Sequence, residues 1–346
     1  MANLSAKDTF WTQSVRPSLS TLSRRGMVVS EHPLASQAGL EILRRGGNAV
    51  DAAVAVSATL SVVAPYMIGP AGTGFMMVYD AARRQVDCLE FLGSKPARAA
   101  SAFASGALNR RSLWQGILGS LTPGCAAGWL TAHERYGRLD RRILFEDAIH
   151  NATEGFAVSP RVAVYFDRCA RMLQASPRSS EICLPKGNPP RPGQVLIQKE
   201  LGQTLASLSE EGMETFYRGR IAEKIVSASR EAGGLLEPDD LAGYEPQWQK
   251  PLSSSYRGVP LHTAPFPGMG IQVLETLKIL ERFDLAAYGP NSCDYWHLLV
   301  EAIKFAVGDR IRTFAGSEAE AQRLLSEEYL CSAYWDLPTQ ALFSAT

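Results

Sequence analysis

A chain of 346 residues, 46% of them hydrophobic, has enough apolar material for a substantial core and does not read as a disordered protein. Lysine plus arginine equals aspartate plus glutamate at 35 each, so no global field draws the chain to nucleic acid or to an anionic membrane. Six cysteines fall without a CxxC pair or a tight framework, the pattern expected of reduced thiols in a cytoplasmic protein.

Residues 1–25 hold no continuous apolar run with a small-residue cleavage site behind it, and are expected to be an N-terminal extension rather than a secretory signal. The first element is "HPLASQAGLEILRRGG", a helix with Pro33 in its first turn, Arg44 and Arg45 in its last, and Gly46 or Gly47 as its stop. Asn48 then caps a second helix from Ala49 to Val63. That helix is apolar nearly all round, yet it is short of the roughly 20 residues a membrane span needs and carries Asp51 in its first turn. It reads as core.

"IGPAGTGFMMVYD" follows. A phosphate loop should leave a strand and open a helix, and this one does the reverse. Gly69, Gly72 and Gly74 therefore serve close backbone approach, either as a wall of a substrate pocket (Gly72 and Gly74 being the candidates) or as a tight turn only. "GFMMVYD" and "QVDCLEF" read as two strands joined through "AARR". Helices are predicted after Pro123 up to Gly137 and from Leu144 up to Gly155. The proline-rich stretch from Ser176 to Gln194 reads as a surface loop. Two amphipathic helices should follow, the second closing at Gly233–Gly234, then a short helix entered near Pro238. "YRGVPLHTAPFPGMGIQVLETLKILERFDL" passes from a strand through a turn into a helix, and Asn291 or Ser292 opens the last long one. No linker divides the chain, so residues 26–346 are expected to form a single domain.

There is no GxSxG elbow, no HExxH and no zinc spacing, and no cofactor or metal is implied. His297 and Glu301 share a helix face at i,i+4, which is more often an ordinary surface pair than a metal site. Residue patterns alone lead to an α/β or α+β protein with no self-declared nucleophile.

The blocks "GMVVSEHPLASQAGLEILRRGGNAVDAAVAVSATLSVVAPYMIGPAGTGFMMVYD", "TPGCAAGWLTAHERYGRL", "FYRGRIAEKIV", "AGGLLEPDDLAGYEPQW" and "YWHLLVEAIKFAVGDR" resemble the gamma-glutamyltransferase family in its own order, over roughly Gly26 to Arg312. The resemblance implies an N-terminal-nucleophile hydrolase: a proenzyme that cleaves itself into a large and a small subunit, which stay together in a four-layer αββα sandwich. It also implies that the nucleophile is the new N-terminal threonine of the small subunit, activated by its own α-amine. This sequence ends at "PTQALFSAT", soon after the last family block, with Thr346 as its final residue. It is therefore expected to be an α+β large-subunit portion that lacks the catalytic threonine and is inactive by itself. Its partner would be the small subunit and its substrate a small-molecule amide.

Glutathione-cleaving members carry an arginine, in a run resembling F-R-E-x-A-P, that grips the glutamyl α-carboxylate. The corresponding run here is "FLGSKPARA", and the arginine's place falls on Leu92, which has no donor for a carboxylate. Lys95 and Arg98 are the nearby candidates to replace it; the plainer reading makes each a solvated surface charge. The resemblance thus points to relatives such as cephalosporin acylases and oxamate amidohydrolase rather than to glutathione cleavage. The competing reading is a truncated, non-catalytic fragment or pseudoenzyme that acts as a binding protein.

Overall fold

The computed structural model of the protein describes residues 22–109, 113, 116–289, 291–312 and 318–334. Most of the expected N-terminal extension and Thr346 lie outside the described residues. Helix α1 (Pro33–Arg44) begins where His32 accepts the Leu34 N–H on Nδ1 at 3.3 Å. Helix α2 (Ala49–Val63) opens with a full capping box: Asn48 Oδ1 accepts from Val50 and Asp51, and the Asp51 carboxylate accepts the Asn48 N–H at 2.9 Å. Ten of its fifteen residues are buried, as its all-round apolar character demands.

Strands β1 (Gly74–Asp80) and β2 (Gln85–Phe91) form an antiparallel hairpin. Its turn is set by Asp80, whose Oδ1 accepts the N–H groups of Ala82 and Arg83. After a short helix α3 (Ala99–Ala104), helices α4 (Cys125–Tyr136) and α5 (Arg141–Thr153) occupy the expected positions. Strands β3 (Phe156–Ala157) and β4 (Val195–Leu196) pair with each other. Between them lie α6 (Pro160–Gln174), which the sequence reading passed over, and α7 (Pro177–Cys183). The proline-rich stretch is thus not all loop: Ser176 caps α7, and Pro177 fits its first turn. Only Val162 and Phe166 of α6 are buried, which explains its weak apolar signal.

The two helices expected next are three: α8 (Lys199–Glu211), the single-turn α9 (Met213–Tyr217) and α10 (Arg220–Glu231). Helix α11 (Pro238–Ala242) leads to β5 (Gln247–Gln249), which pairs with β2 and gives the sheet order β1-β2-β5. A second hairpin, β6 (Leu252–Tyr256) and β7 (Val259–Thr263), turns through Arg257 and Gly258, both at positive φ. Strand β6 escaped the sequence reading because "LSSSY" has no apolar alternation. The chain continues through α12 (Gly270–Leu280), α13 (Cys293–Arg312), α14 (Glu318–Leu324) and α15 (Glu327–Tyr334).

The largest apolar cluster joins Leu89 and Phe91 of β2 to Val54 and Val62 of α2, Trp129 of α4, Phe145 of α5 and Leu208 of α8. Two smaller clusters serve the later part: Leu252, Ile271, Leu274 and Leu324 in one, and Ile279, Leu298, Ala302 and Leu330 in the other. No helix among the described residues is long and apolar enough to cross a membrane. No disulfide forms among the described cysteines, of which Cys88 and Cys125 are buried.

Helix α1 makes the fold sensitive to mild acid. Burial holds the His32 imidazole below its ordinary 6.5, against the smaller upward pull of Glu31. As pH falls below 6.5 the unfolded chain takes up a proton that the folded chain refuses, so stability falls until the lowered folded value is passed. Urea unfolding of the purified chain from pH 7.5 to 5 should show this loss, and His32→Asn, which keeps a capping acceptor, should reduce it.

Candidate functional site

Helix α4 begins inside the protein with no side-chain cap. Its first amides are satisfied from outside the helix. Gly124 and Cys125 each donate to the Gly72 carbonyl at 2.8 Å, Ala126 to the Pro70 carbonyl at 3.0 Å, and Ala127 to the Tyr217 hydroxyl at 3.1 Å. The glycine loop therefore seats this helix. A Cβ at Gly72 would lie 3.2 Å from Cys125 Sγ, and one at Gly74 would lie 2.9 Å from the Phe91 ring.

Strand β2 runs into the same place. Phe91 is buried, Leu92 is half-buried, and the chain then turns at Gly93 with φ +81°. A Cβ on Gly93 would fall 2.1 Å from the Thr122 carbonyl oxygen, and one on Gly124 would fall 2.0 Å from that of Phe91. Residues 92–98 are then pinned by polar contacts. Gly93 N–H donates to Tyr244 Oη at 3.3 Å, Thr122 N–H to the Ser94 carbonyl at 2.8 Å, and Ala97 N–H to Asp240 Oδ1 at 2.8 Å.

Beside this segment lies a cleft of 350 Å³ walled by Glu90, Leu92, Ser94, Tyr244, Glu245 and Gln247, with no lysine or arginine in its lining. Burial, with Glu90 adding to it, pushes the Tyr244 phenol up to about 12, so it stays protonated. Tyr244 stacks at 5.8 Å on Tyr217, whose hydroxyl donates to the Pro123 carbonyl at 2.8 Å. Burial raises the Tyr217 phenol as well.

Of the residues singled out from sequence, only Leu92 lines this cleft. Lys95 is exposed and outside the lining. Arg98 is exposed and paired at 3.0 Å with Glu237, whose carboxyl is held below its ordinary range first by Arg230 and then by Arg98. Gly72 and Gly74 pack under α4 and Phe91. His297 is exposed, and Glu301 pairs with Lys304 at 2.7 Å. Tyr244, Tyr217 and Thr122 were missed; Tyr244 stands inside the quoted block "AGGLLEPDDLAGYEPQW", but nothing local marks it.

A larger cleft, 590 Å³, lies between α8 and α10. Its arginines are already committed, Arg178 to Glu181 and Glu200, and Arg220 to Glu211. Lys224 also lines it.

The arrangement of sheet, buried α4 and flanking helices is an N-terminal-nucleophile hydrolase fold. The structure of Helicobacter pylori gamma-glutamyltranspeptidase matches it with a TM-score of 0.86 at 28% identity, covering 91% of this chain and 93% of that one. Residues 35–341 match the family described as gamma-glutamyltranspeptidase, and the chain belongs to that family. It is 35% identical over 314 residues to the glutathione hydrolase-like YwrD proenzyme of Bacillus subtilis (strain 168), covering 90% of this chain and 59% of that protein. It is also 35% identical over 296 residues to the acylase ACY 1 proenzyme of Pseudomonas sp. (strain V22), covering 83% of this chain and 53% of that one. The chain thus spans little more than half the length of these curated relatives.

The contact between β2 and α4 leaves no room for a side chain at Gly124. Gly124→Ala should lower stability by about 1–3 kcal/mol through overpacking against the Phe91 carbonyl. A lower midpoint in urea unfolding, at unchanged slope, is the expected readout.

Proposed function

We propose that this chain is the large-subunit part, one domain over residues 26–346, of an autoprocessed amidohydrolase or acyltransferase acting on a small amide. The catalytic threonine belongs to a separate small subunit. There its hydroxyl, activated by its own α-amine, attacks the amide carbonyl, while main-chain donors hold the oxyanion. The part given to this chain is the wall of the acyl pocket, and alone it is inactive.

Two features support a partner chain. The match takes in about half of each proenzyme but 93% of one chain of the Helicobacter pylori structure. The outer edge of β1 is unpaired among the described residues, with Tyr79 exposed on it, and α13 bears an exposed apolar stripe of Trp296, Val300, Ile303 and Ile311. Such an edge and stripe are surfaces that a folded protein covers.

The observation that carries the substrate reading is Leu92 in the wall of a cleft whose lining holds Glu90 and Glu245 and no cation. An arginine there would grip a carboxylate with two charge-assisted bonds; leucine offers none. Within the family chemistry the pocket is acylase-like or oxamate amidohydrolase-like rather than glutathione-cleaving, and any carboxylate on the substrate must be met by the small subunit.

Intact masses of everything that co-purifies with the chain from its native host test the first part. A second polypeptide beginning with threonine is expected; a single soluble species of about this chain's mass would leave a truncated or binding protein instead. Leu92→Arg tests the second. In the two-chain enzyme it should raise kcat/KM for gamma-glutamyl p-nitroanilide by about tenfold, the value of one charge-assisted hydrogen bond. A wild-type enzyme that already prefers this substrate to other small acyl anilides would overturn the reading.

A further inference from the structure

We propose that Tyr244 is a positioning residue for the acyl cleft: by accepting the Gly93 N–H, its phenolic oxygen holds the main chain of residues 92–94 as the wall against which substrate packs. The inference rests on the reading of the Leu92 cleft as the substrate pocket.

Leu92 stands one residue beyond the sheet. The last register pairs of β2 are Phe91 with Gly74 on one side and Glu90 with Gln247 on the other, so the ladders give no support from residue 92 onward. Two residues take over. Thr122 holds Ser94, by its N–H to the Ser94 carbonyl at 2.8 Å and through the two hydroxyls at 3.2 Å. Tyr244 holds Gly93 at 3.3 Å.

The two supports are placed differently. Thr122 is fully buried and absent from the cleft lining, whereas Tyr244 lines the cleft. Its ring stacks within 24° of parallel on Tyr217, which is anchored to the Pro123 carbonyl and the Ala127 N–H at the start of α4. The phenol is therefore a strut, with one face in the core and its oxygen at the pocket wall.

Gly93 cannot relax inward, because the Thr122 carbonyl oxygen already occupies the space on that side. Removing the phenolic oxygen releases the Gly93 peptide toward the cleft alone. Such a release weakens substrate binding and moves no part of the nucleophile, which the proposed function assigns to the small subunit, so it falls on KM rather than on kcat.

Tyr244→Phe in the two-chain enzyme is the test, with Asn48→Ala, which removes the cap of α2 and a donor to the Tyr136 carbonyl at the far end of α4, as a variant destabilised away from the cleft. Hydrogen–deuterium exchange over residues 91–98 should quicken roughly fivefold in Tyr244→Phe, and KM for small acyl p-nitroanilides should rise roughly fivefold with kcat little changed, the worth of one neutral hydrogen bond. Asn48→Ala should do neither. Unchanged exchange over 91–98, or faster exchange with KM unmoved, overturns the proposal. A wild-type enzyme that cleaves none of these anilides overturns the functional reading instead, and the exchange comparison still decides whether Tyr244 holds the wall.

Discussion

The buried amino terminus of α4 is the constraint on which the rest of the molecule depends. Four successive amides there, from Gly124 to Ala127, have no acceptor within the helix, and each left unpaired would cost about 1–3 kcal/mol. Summed, that approaches the whole margin by which an ordinary domain is stable. The carbonyls of Pro70 and Gly72 and the hydroxyl of Tyr217 meet the demand, which ties the glycine loop, α4 and the single turn of α9 into one unit.

The other end of α4 is held just as firmly. Asn48 Nδ2 donates to the Tyr136 carbonyl, and the fully buried Asp51 carboxylate accepts the Arg138 N–H at 3.1 Å. One capping box thus starts α2 and finishes α4. At the amino end, the end of β2 lies against Gly124 and the chain leaves the sheet at Leu92 in one defined place, while Trp129 in mid-helix is buried in the core. The candidate pocket follows from the need to satisfy a helix end.

Elements whose boundaries rest on local chemistry were legible in the sequence. Asn48 with Asp51, Pro33, Pro238 and the Asp80 turn each act within a few residues of themselves, and the helices and hairpin they bound lie where the pattern put them. Elements that depend on distant partners were not. Strand β6 is mostly serine and exists through its register with β7, while α6 shows the core only two side chains. The glycine loop was seen as a place of close approach, but what approaches it is a helix start some fifty residues further on. Leu92 was found through its place in a family run. Tyr244 and Tyr217 gave no sign, because a tyrosine's hydrogen-bond partner is chosen by packing and not by spacing.

By itself the sequence determined the order and ends of most elements, the balance of charge, and a leucine at position 92, where the family resemblance implies an arginine. These are properties of residue type and near neighbours, which the chain carries whether folded or not. Only the tertiary structure decided that Leu92 meets Glu90, Tyr244 and Glu245 around one cleft, that Arg98 is paired with Glu237, and that the Gly72 carbonyl accepts from the start of α4. Apart from Glu90, a near neighbour of Leu92, those meetings join residues from 52 to more than 150 positions apart. The packing of the folded chain brings them together, and no local pattern encodes it.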